Sequence, residues 1–470
     1  MVGGLIFSGS PQKLFFKNGD ALSMSETIHV TYCLDDGYAE YTCVSMASML
    51  ANTKSNVHFH IISNRLSDEN KAKLSSLSGH FPHMLLSFNE FTFDSDGFET
   101  GDSYITTEAY YRLYLPEILP NLERILYLDG DTVINGDISK LWNIDLGKHT
   151  VGVVVDQWTR QFTAERNKAI GFNDDDLYFN SGVLLINVKN FGRYLFTQQI
   201  STVVPELYKK IKDVNGSWCL DQELLNYVFN ADKSALFLPL QYNFMDPNVS
   251  NYNTELLFRR GCYELKDWAL AYSNPVIIHY NGLKPFPFDG NFKFSHHWRL
   301  YYKYKALTPF YDPLDEKRIV EYDRRELLTK TESLIPTSLY IPWFWRDIFV
   351  HSVKYVKQII GERKLAFWGG AGRHITLLMA IFASERLYPD AIVDGLTANH
   401  GKNVFGYTIQ PADILRGKTE EYFVVLCMET KPARDAVVKL LKEYGYDENG
   451  FTHAYAEAYE RENKSLNVFN

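Results

Sequence analysis

The sequence predicts an α/β protein of two units with mostly parallel sheets, a larger one over residues 27–305 and a smaller one over 364–470. Short apolar runs alternate with longer helical patterns from Ile28 onward, as parallel sheets with crossover helices require. The same alternation restarts at Lys364 after a stretch of poor periodicity. The chain has 470 residues, 46% hydrophobic and 15% aromatic, enough for a sizeable core and incompatible with a disordered chain.

The elements follow in order. Ile28 to Cys33 is an apolar run ending in acids, and the next segment sets Val44, Ala47 and Ala51 on one helical face before a second run, Val57 to Ser63. This is a βαβ opening. Further strands are expected at Met84 to Phe88, Arg124 to Leu128, Val151 to Val155, Val183 to Asn187 and Val276 to His279, and an amphipathic helix carries Leu220, Leu224 and Val228. Residues 306–363 read as a connector with one helix, punctuated by Pro309, Pro313, Pro336 and Pro342. In the smaller unit the strands are Lys364 to Trp368, Ala391 to Val393 and Tyr422 to Met428, with helices over about His374 to Ser384 and Ala433 to Tyr444. Residues 1–26 lack periodicity and are set aside as a flexible leader.

Charge and cysteine usage narrow the function. Lys plus Arg number 48 against 57 Asp plus Glu, a net charge of −9 that gives no overall attraction to nucleic acid. The 5 cysteines, Cys33, Cys43, Cys219, Cys262 and Cys427, include no C-x-x-C pair, so neither a disulfide framework nor a thiolate zinc site is indicated. No apolar stretch of about 18 residues occurs, and the reading is a cytoplasmic protein.

The strongest chemical signal is Arg124-Ile-Leu-Tyr-Leu-Asp129-Gly130-Asp131, an apolar strand ending in two carboxylates. Ligands in open α/β sheets bind at strand C-terminal ends, and oxygen ligands there suit Mn²⁺ or Mg²⁺ on a diphosphate. An ordinary solvated turn is the plainer reading of the tripeptide alone. Three clusters supply context. Cys33-Leu-Asp35-Asp36-Gly37-Tyr38 follows the first strand, where the acids either contact a base or ribose or cap the helix. His279-Tyr280-Asn281-Gly282-Leu283-Lys284 offers a metal ligand, a glycine permitting close approach and a lysine for phosphate. Leu220-Asp221-Gln222-Glu223 opens a helix, where Asp221 alone reads as an N-cap. Asp156 ends the Val151 strand, either to meet an acceptor hydroxyl or as a surface acid.

Together with Tyr110-Tyr111-Arg112-Leu113 and Tyr178-Phe179-Asn180-Ser181-Gly182, these motifs stand in an order that resembles glycosyltransferase family 8, retaining sugar-nucleotide transferases that include lipopolysaccharide galactosyl- and glucosyltransferases and glycogenin. The resemblance implies a glycosyltransferase A-type fold over 27–305 and hexose transfer from a UDP-sugar to a glycan or glycoprotein, as in polysaccharide biosynthesis. It implies that Asp129, Asp131 and His279 ligate Mn²⁺ or Mg²⁺, and that Gly282 and Lys284 contact the phosphates. Cys33, Asp35 and Tyr38 would hold base and ribose, while Arg112, Asp129, Asn180, Asp221 and Gln222 would surround the donor sugar, Gln222 nearest its anomeric carbon. Gly37, the single Leu283 between Gly282 and Lys284, and Phe286 depart from the commoner family pattern.

The smaller unit begins with a strand followed by Gly369-Gly370-Ala371-Gly372, an incomplete dinucleotide fingerprint with Asp394 about 24 residues beyond Gly370. A Rossmann-like accessory unit whose glycines serve packing is the other reading. The aromatic and basic residues of 340–363, among them Trp343, Phe344, Trp345 and Lys354, fit either peripheral contact at the inner face of a membrane or packing between units. Rival functions are a non-catalytic sugar-nucleotide scaffold, a nicotinamide-dependent oxidoreductase acting through the smaller unit, and self-glycosylation on one of 31 tyrosines.

Overall fold

The computed structural model describes residues 27–92, 107–157, 171–173, 176–194, 220–231, 233–245, 263–281, 297–320, 352–370, 375–404, 406–428 and 431–454, with the isolated residues 168, 203 and 210. The leader, Gly282, Lys284 and the Trp343 to Phe349 aromatics lie outside them.

The larger unit is a seven-stranded sheet of β1 (Ile28–Cys33), β2 (Val57–Ile62), β3 (Met84–Asn89), β4 (Arg124–Leu128), β6 (Val151–Val155), β7 (Phe179–Asn187) and β8 (Ala235–Phe237), in the order β3-β2-β1-β4-β7-β6-β8. Its pairings are parallel except where β7 runs antiparallel to both β4 and β6. A three-stranded ribbon stands beside it, β5 (Thr132–Ile134), β9 (Phe244–Met245) and β10 (Ile277–His279), with β10 central. Alternation decides the faces: Ile28, Val30 and Tyr32 of β1 and Val57, Phe59 and Ile61 of β2 are buried in one core together with helix α1 (Ala39–Asn52). Helix α2 (Asp68–Ser76) starts at Ser67, whose side chain accepts from the Asn70 amide, with Asp68 and Glu69 favourably placed in the first turn. Of the face read for α1, Val44 and Ala47 are buried but Ala51 is exposed, because the buried surface ends at Leu50.

Two registers place the site. Leu128 pairs with Val183, which brings Asp129 beside Gly182, and the Asp129 amide donates to the Gly182 carbonyl at 2.8 Å. The chain after Asp131 doubles back as β5, where Thr132 pairs with His279 and the Tyr280 amide donates to the Asp131 carbonyl at 3.0 Å. Helix α3 (Leu220–Ala231) is fastened to β7 by Asn226, whose side-chain amide exchanges two 2.8 Å hydrogen bonds with the Phe179 backbone. Gln222 lies one turn earlier on the same face and therefore meets the next residues of β7.

The second sheet comprises β11 (Lys364–Trp368), β12 (Ala391–Asp394), β13 (Asn403–Val404), β14 (Tyr407–Pro411), β15 (Tyr422–Leu426) and β16 (Phe451–His453), ordered β13-β14-β12-β11-β15-β16. Its five parallel strands have the reversal of strand order typical of doubly wound sheets. Leu365 and Phe367 face the core shared with helix α6 (Ile375–Ser384), and Ala366 and Trp368 face the one completed by Leu441 and Tyr444 on and after helix α7 (Lys431–Glu443). Helix α4 (Leu265–Ser273) of the larger unit packs against α6, so one hydrophobic core runs through both units. Helix α5 (Trp298–Lys305) lies against α1.

The glycine turn is a packing device at Gly370, where an added Cβ would stand 2.5 Å from Ile392 Cγ2 and 3.1 Å from Ile409. The Asp394 carboxylate accepts from the Leu396 amide at 2.8 Å and so closes its own turn. In the described part of 340–363, Val353 and Val356 are buried in the shared core. Among the described residues no helix is long and apolar enough to cross a membrane.

Candidate functional site

At the C-terminal ends of β1, β4 and β10, one ligand atom each from Asp129, Asp131 and His279 lies within 4.8 Å of the others. His279 Nε2 is 3.3 Å from Asp131 Oδ1 and 3.8 Å from Asp129 Oδ2. Its other nitrogen is oriented by Asn243 Oδ1 at 3.1 Å. Gly182 makes the cradle, since an added Cβ would lie 2.7 Å from Asp129 Oδ2 and closer still to the His279 ring. Carboxylate oxygens with one imidazole fit a divalent cation such as Mn²⁺.

Arg112, brought in by the turn at Thr107–Tyr114, is the central cation. Its guanidinium meets Asp129 Oδ1 at 3.1 Å and Asp221 Oδ2 at 3.2 Å, donates to the Ser181 carbonyl and hydroxyl at 3.0 and 2.9 Å, and lies over the Tyr127 ring. Burial opposes the charge, but Asp129, Tyr127 and Asp221 more than offset it and raise the Arg112 pKa. Burial raises Asp221 above the ordinary carboxylate range, with Arg112 acting against it. Asp221 is not the N-cap expected of it alone: the helix begins one residue earlier, at Leu220, and Asp221 lies in the first turn of α3 with its side chain holding Arg112.

Gln222 is immobilised on both sides. Its Oε1 accepts from the Ser181 amide at 2.8 Å and from Asn180 Nδ2 at 3.3 Å, which fixes the amide orientation, and its Nε2 donates to Asp156 Oδ2 at 3.1 Å and Tyr178 OH at 3.2 Å. Asn180 Oδ1 accepts from Asn243 Nδ2 at 2.9 Å, so hydrogen bonds run unbroken from His279 through Asn243 and Asn180 to Gln222. Asp129 and Asp221 thus share the Arg112 guanidinium, while Asp131 stands against His279 and Asp156 accepts from Gln222.

The residues expected to hold base and ribose lie near the same acids. Asp35 caps the turn at Asp36–Tyr38 by accepting from the Tyr38 amide at 3.2 Å. Burial, then Asp131, Asp129 and Asp35, raises the Tyr38 pKa, which brings this phenol into the field of the acids. Burial raises the Cys33 thiol, and Arg112 and Asp129 act on it. Asp36 is a structural clamp, accepting from the Ser67 amide at 2.8 Å. Asp156 is a correction: it is buried against Gln222 and Asn180, not a surface acid. Asn243 carries no motif and was not anticipated; its only local mark is the Pro239 turn before it.

The family model described as Glycosyl transferase family 8 matches residues 29–287. General stress protein A of Bacillus subtilis is 27% identical over 290 residues, 60% of this chain and 94% of that one. A lipopolysaccharide 1,2-glucosyltransferase of Escherichia coli K12 is 28% identical over 321 residues, 65% of this chain and 86% of that enzyme. A Haemophilus influenzae relative, 29% identical over 221 residues, is spanned over 64% of its length. Among solved structures, the galactosyltransferase LgtC with donor and acceptor sugar analogs is 25% identical and aligns over 61% of this chain and 98% of its own, with a TM-score of 0.49.

Proposed function

The chain belongs to glycosyltransferase family 8 and is a hexosyltransferase, and from that premise we propose that it transfers glucose or galactose from a UDP-sugar to a saccharide or glycoprotein acceptor with retention of configuration. The observation that carries this reading is the convergence of Asp129, Asp131 and His279 on one point, joined by hydrogen bonds to Gln222.

In this reading Asp129, Asp131 and His279 would hold a divalent cation, Mn²⁺ by preference, which when bound offsets the charge of the departing diphosphate. Gly282 and Lys284 contact the phosphates, and Cys33, Asp35 and Tyr38 contact the base and ribose. Arg112 sets the donor sugar by holding both Asp129 and Asp221. Asn180 and Asp221 bind sugar hydroxyls.

Retention requires either a covalent glycosyl intermediate or attack from the face the leaving group departs. The residue assigned to the anomeric carbon is Gln222, an amide held by Ser181 and Asp156 rather than a carboxylate nucleophile. Front-face attack by the acceptor through an oxocarbenium-like state follows, with Gln222 positioning and the diphosphate itself receiving the acceptor proton.

The test is UDP release from a panel of UDP-sugars with Mn²⁺, without acceptor. One donor should turn over, EDTA should abolish it, and Gln222→Ala should lower it about 100-fold, the order expected for a polar group acting only in the transition state. No turnover and no UDP binding would sink the reading; turnover of Gln222→Ala within a few-fold of the unsubstituted protein would remove Gln222 from its role.

A further inference from the structure

β1 and β2 pair in parallel with His29 opposite His58 and Thr31 opposite His60. Because Ile28, Val30, Val57 and Phe59 take the core face beside α1, the three histidines fall together on the other face. One ring nitrogen from each lies within 4.8 Å of the other two. His29 Nδ1 is 3.0 Å from His60 Nε2, and the His58 and His60 ring centroids are 4.1 Å apart. Ser87 Oγ on β3 lies 2.7 Å from His58 Nε2. His60 is buried and the other two are partly exposed, which gives a path from solvent.

We propose that His29, His58 and His60 form a second metal site, for a divalent transition ion of the zinc class. Three imidazole nitrogens without a carboxylate favour Zn²⁺ over Mn²⁺ or Mg²⁺, the reverse of the oxygen-rich site. Tetrahedral zinc at about 2.0 Å from each nitrogen sets nitrogens about 3.3 Å apart, so the observed 3.0 Å pair needs only a small adjustment. Three ligands leave a fourth position for water, and the ion would cross-link the first two strands. His29 stands four residues from Cys33, about 13 Å along β1, so the two sites are separate.

The probe is Zn²⁺ alone, dialysed against tag-free full-length chain carrying Asp129→Ala/Asp131→Ala, which removes the oxygen site. The expected result is one zinc per chain by elemental analysis, with Co²⁺ in its place giving the visible absorption of a nitrogen-ligated tetrahedral ion. His58→Gln and His29→Gln, each with an unchanged metal-free melting temperature, should lower zinc affinity about 100-fold or more, consistent with losing one of three ligands. No retained zinc, no cobalt absorption, or a stoichiometry indifferent to either substitution would overturn the proposal and leave a hydrogen-bonded histidine stack. The cobalt spectrum decides the matter on intact histidines even if a variant fails to fold.

Discussion

Replacing Asp129 and Asp131 together by alanine should reduce donor turnover about a thousand-fold or more, the several kcal/mol expected when cation stabilisation of a leaving diphosphate is lost. The two carboxylates stand 3.8 and 3.3 Å from His279 Nε2, and Asp129 is also the group to which Arg112 and Tyr127 are tied. A thermal-shift titration separates loss of metal from loss of fold. Mn²⁺ should raise the melting temperature of the unsubstituted protein, about 2.7 kcal/mol of stabilisation at 100 times Kd, and leave the double variant unmoved. Equal stabilisation of both by Mn²⁺, or turnover that survives the substitution, would show that the cation is held elsewhere.

Gly182→Ala should have nearly as large an effect without removing a polar group. The new methyl would press on the His279 ring and on Asp129 Oδ2 at 2.7 Å. Neither side chain has an easy retreat: His279 is buried and tied to Asn243, and Asp129 is tied to Tyr127 and Arg112. Overpacking of this kind costs about 1–3 kcal/mol, which should appear as a 10- to 100-fold weaker Mn²⁺ affinity with the secondary structure intact. Isothermal titration with Mn²⁺ measures it, and an unchanged affinity would mean that Gly182 is not the wall of the metal cradle.

The sequence made legible those parts of the site that sit on strong periodic strands. Asp129 and Asp131 follow five consecutive strand residues, and His279 ends another strand, so position alone pointed to the ligand edge of the sheet. The start of β7 was not legible. Val183 to Asn187 is an evident strand, whereas Phe179 to Gly182 looks like a loop because Asn180 and Ser181 are polar. They are strand residues because Gln222, Arg112 and Asn243 satisfy them from distant parts of the chain. Asn243 was hidden for the same reason, and Asp156 was legible as a strand-end acid but not in its partners: each acts through groups fixed by register and helix docking, which no local pattern encodes. The histidines at 29, 58 and 60 are individually ordinary strand residues, and only the pairing of β1 with β2 makes them neighbours.

The contact of α4 with α6 bears on how the molecule comes apart. α4 lies just before β10, the strand that ends in His279, and on its far side it leans on the helix that follows the first strand of the second sheet. The change of pattern across residues 306–363 is thus a boundary in topology but not in free energy. Loosening the second sheet would release the backing of α4, and with it the strand that presents a metal ligand; the two sheets should therefore melt as a single cooperative unit, and damage to the smaller one should be felt as lost metal affinity in the larger.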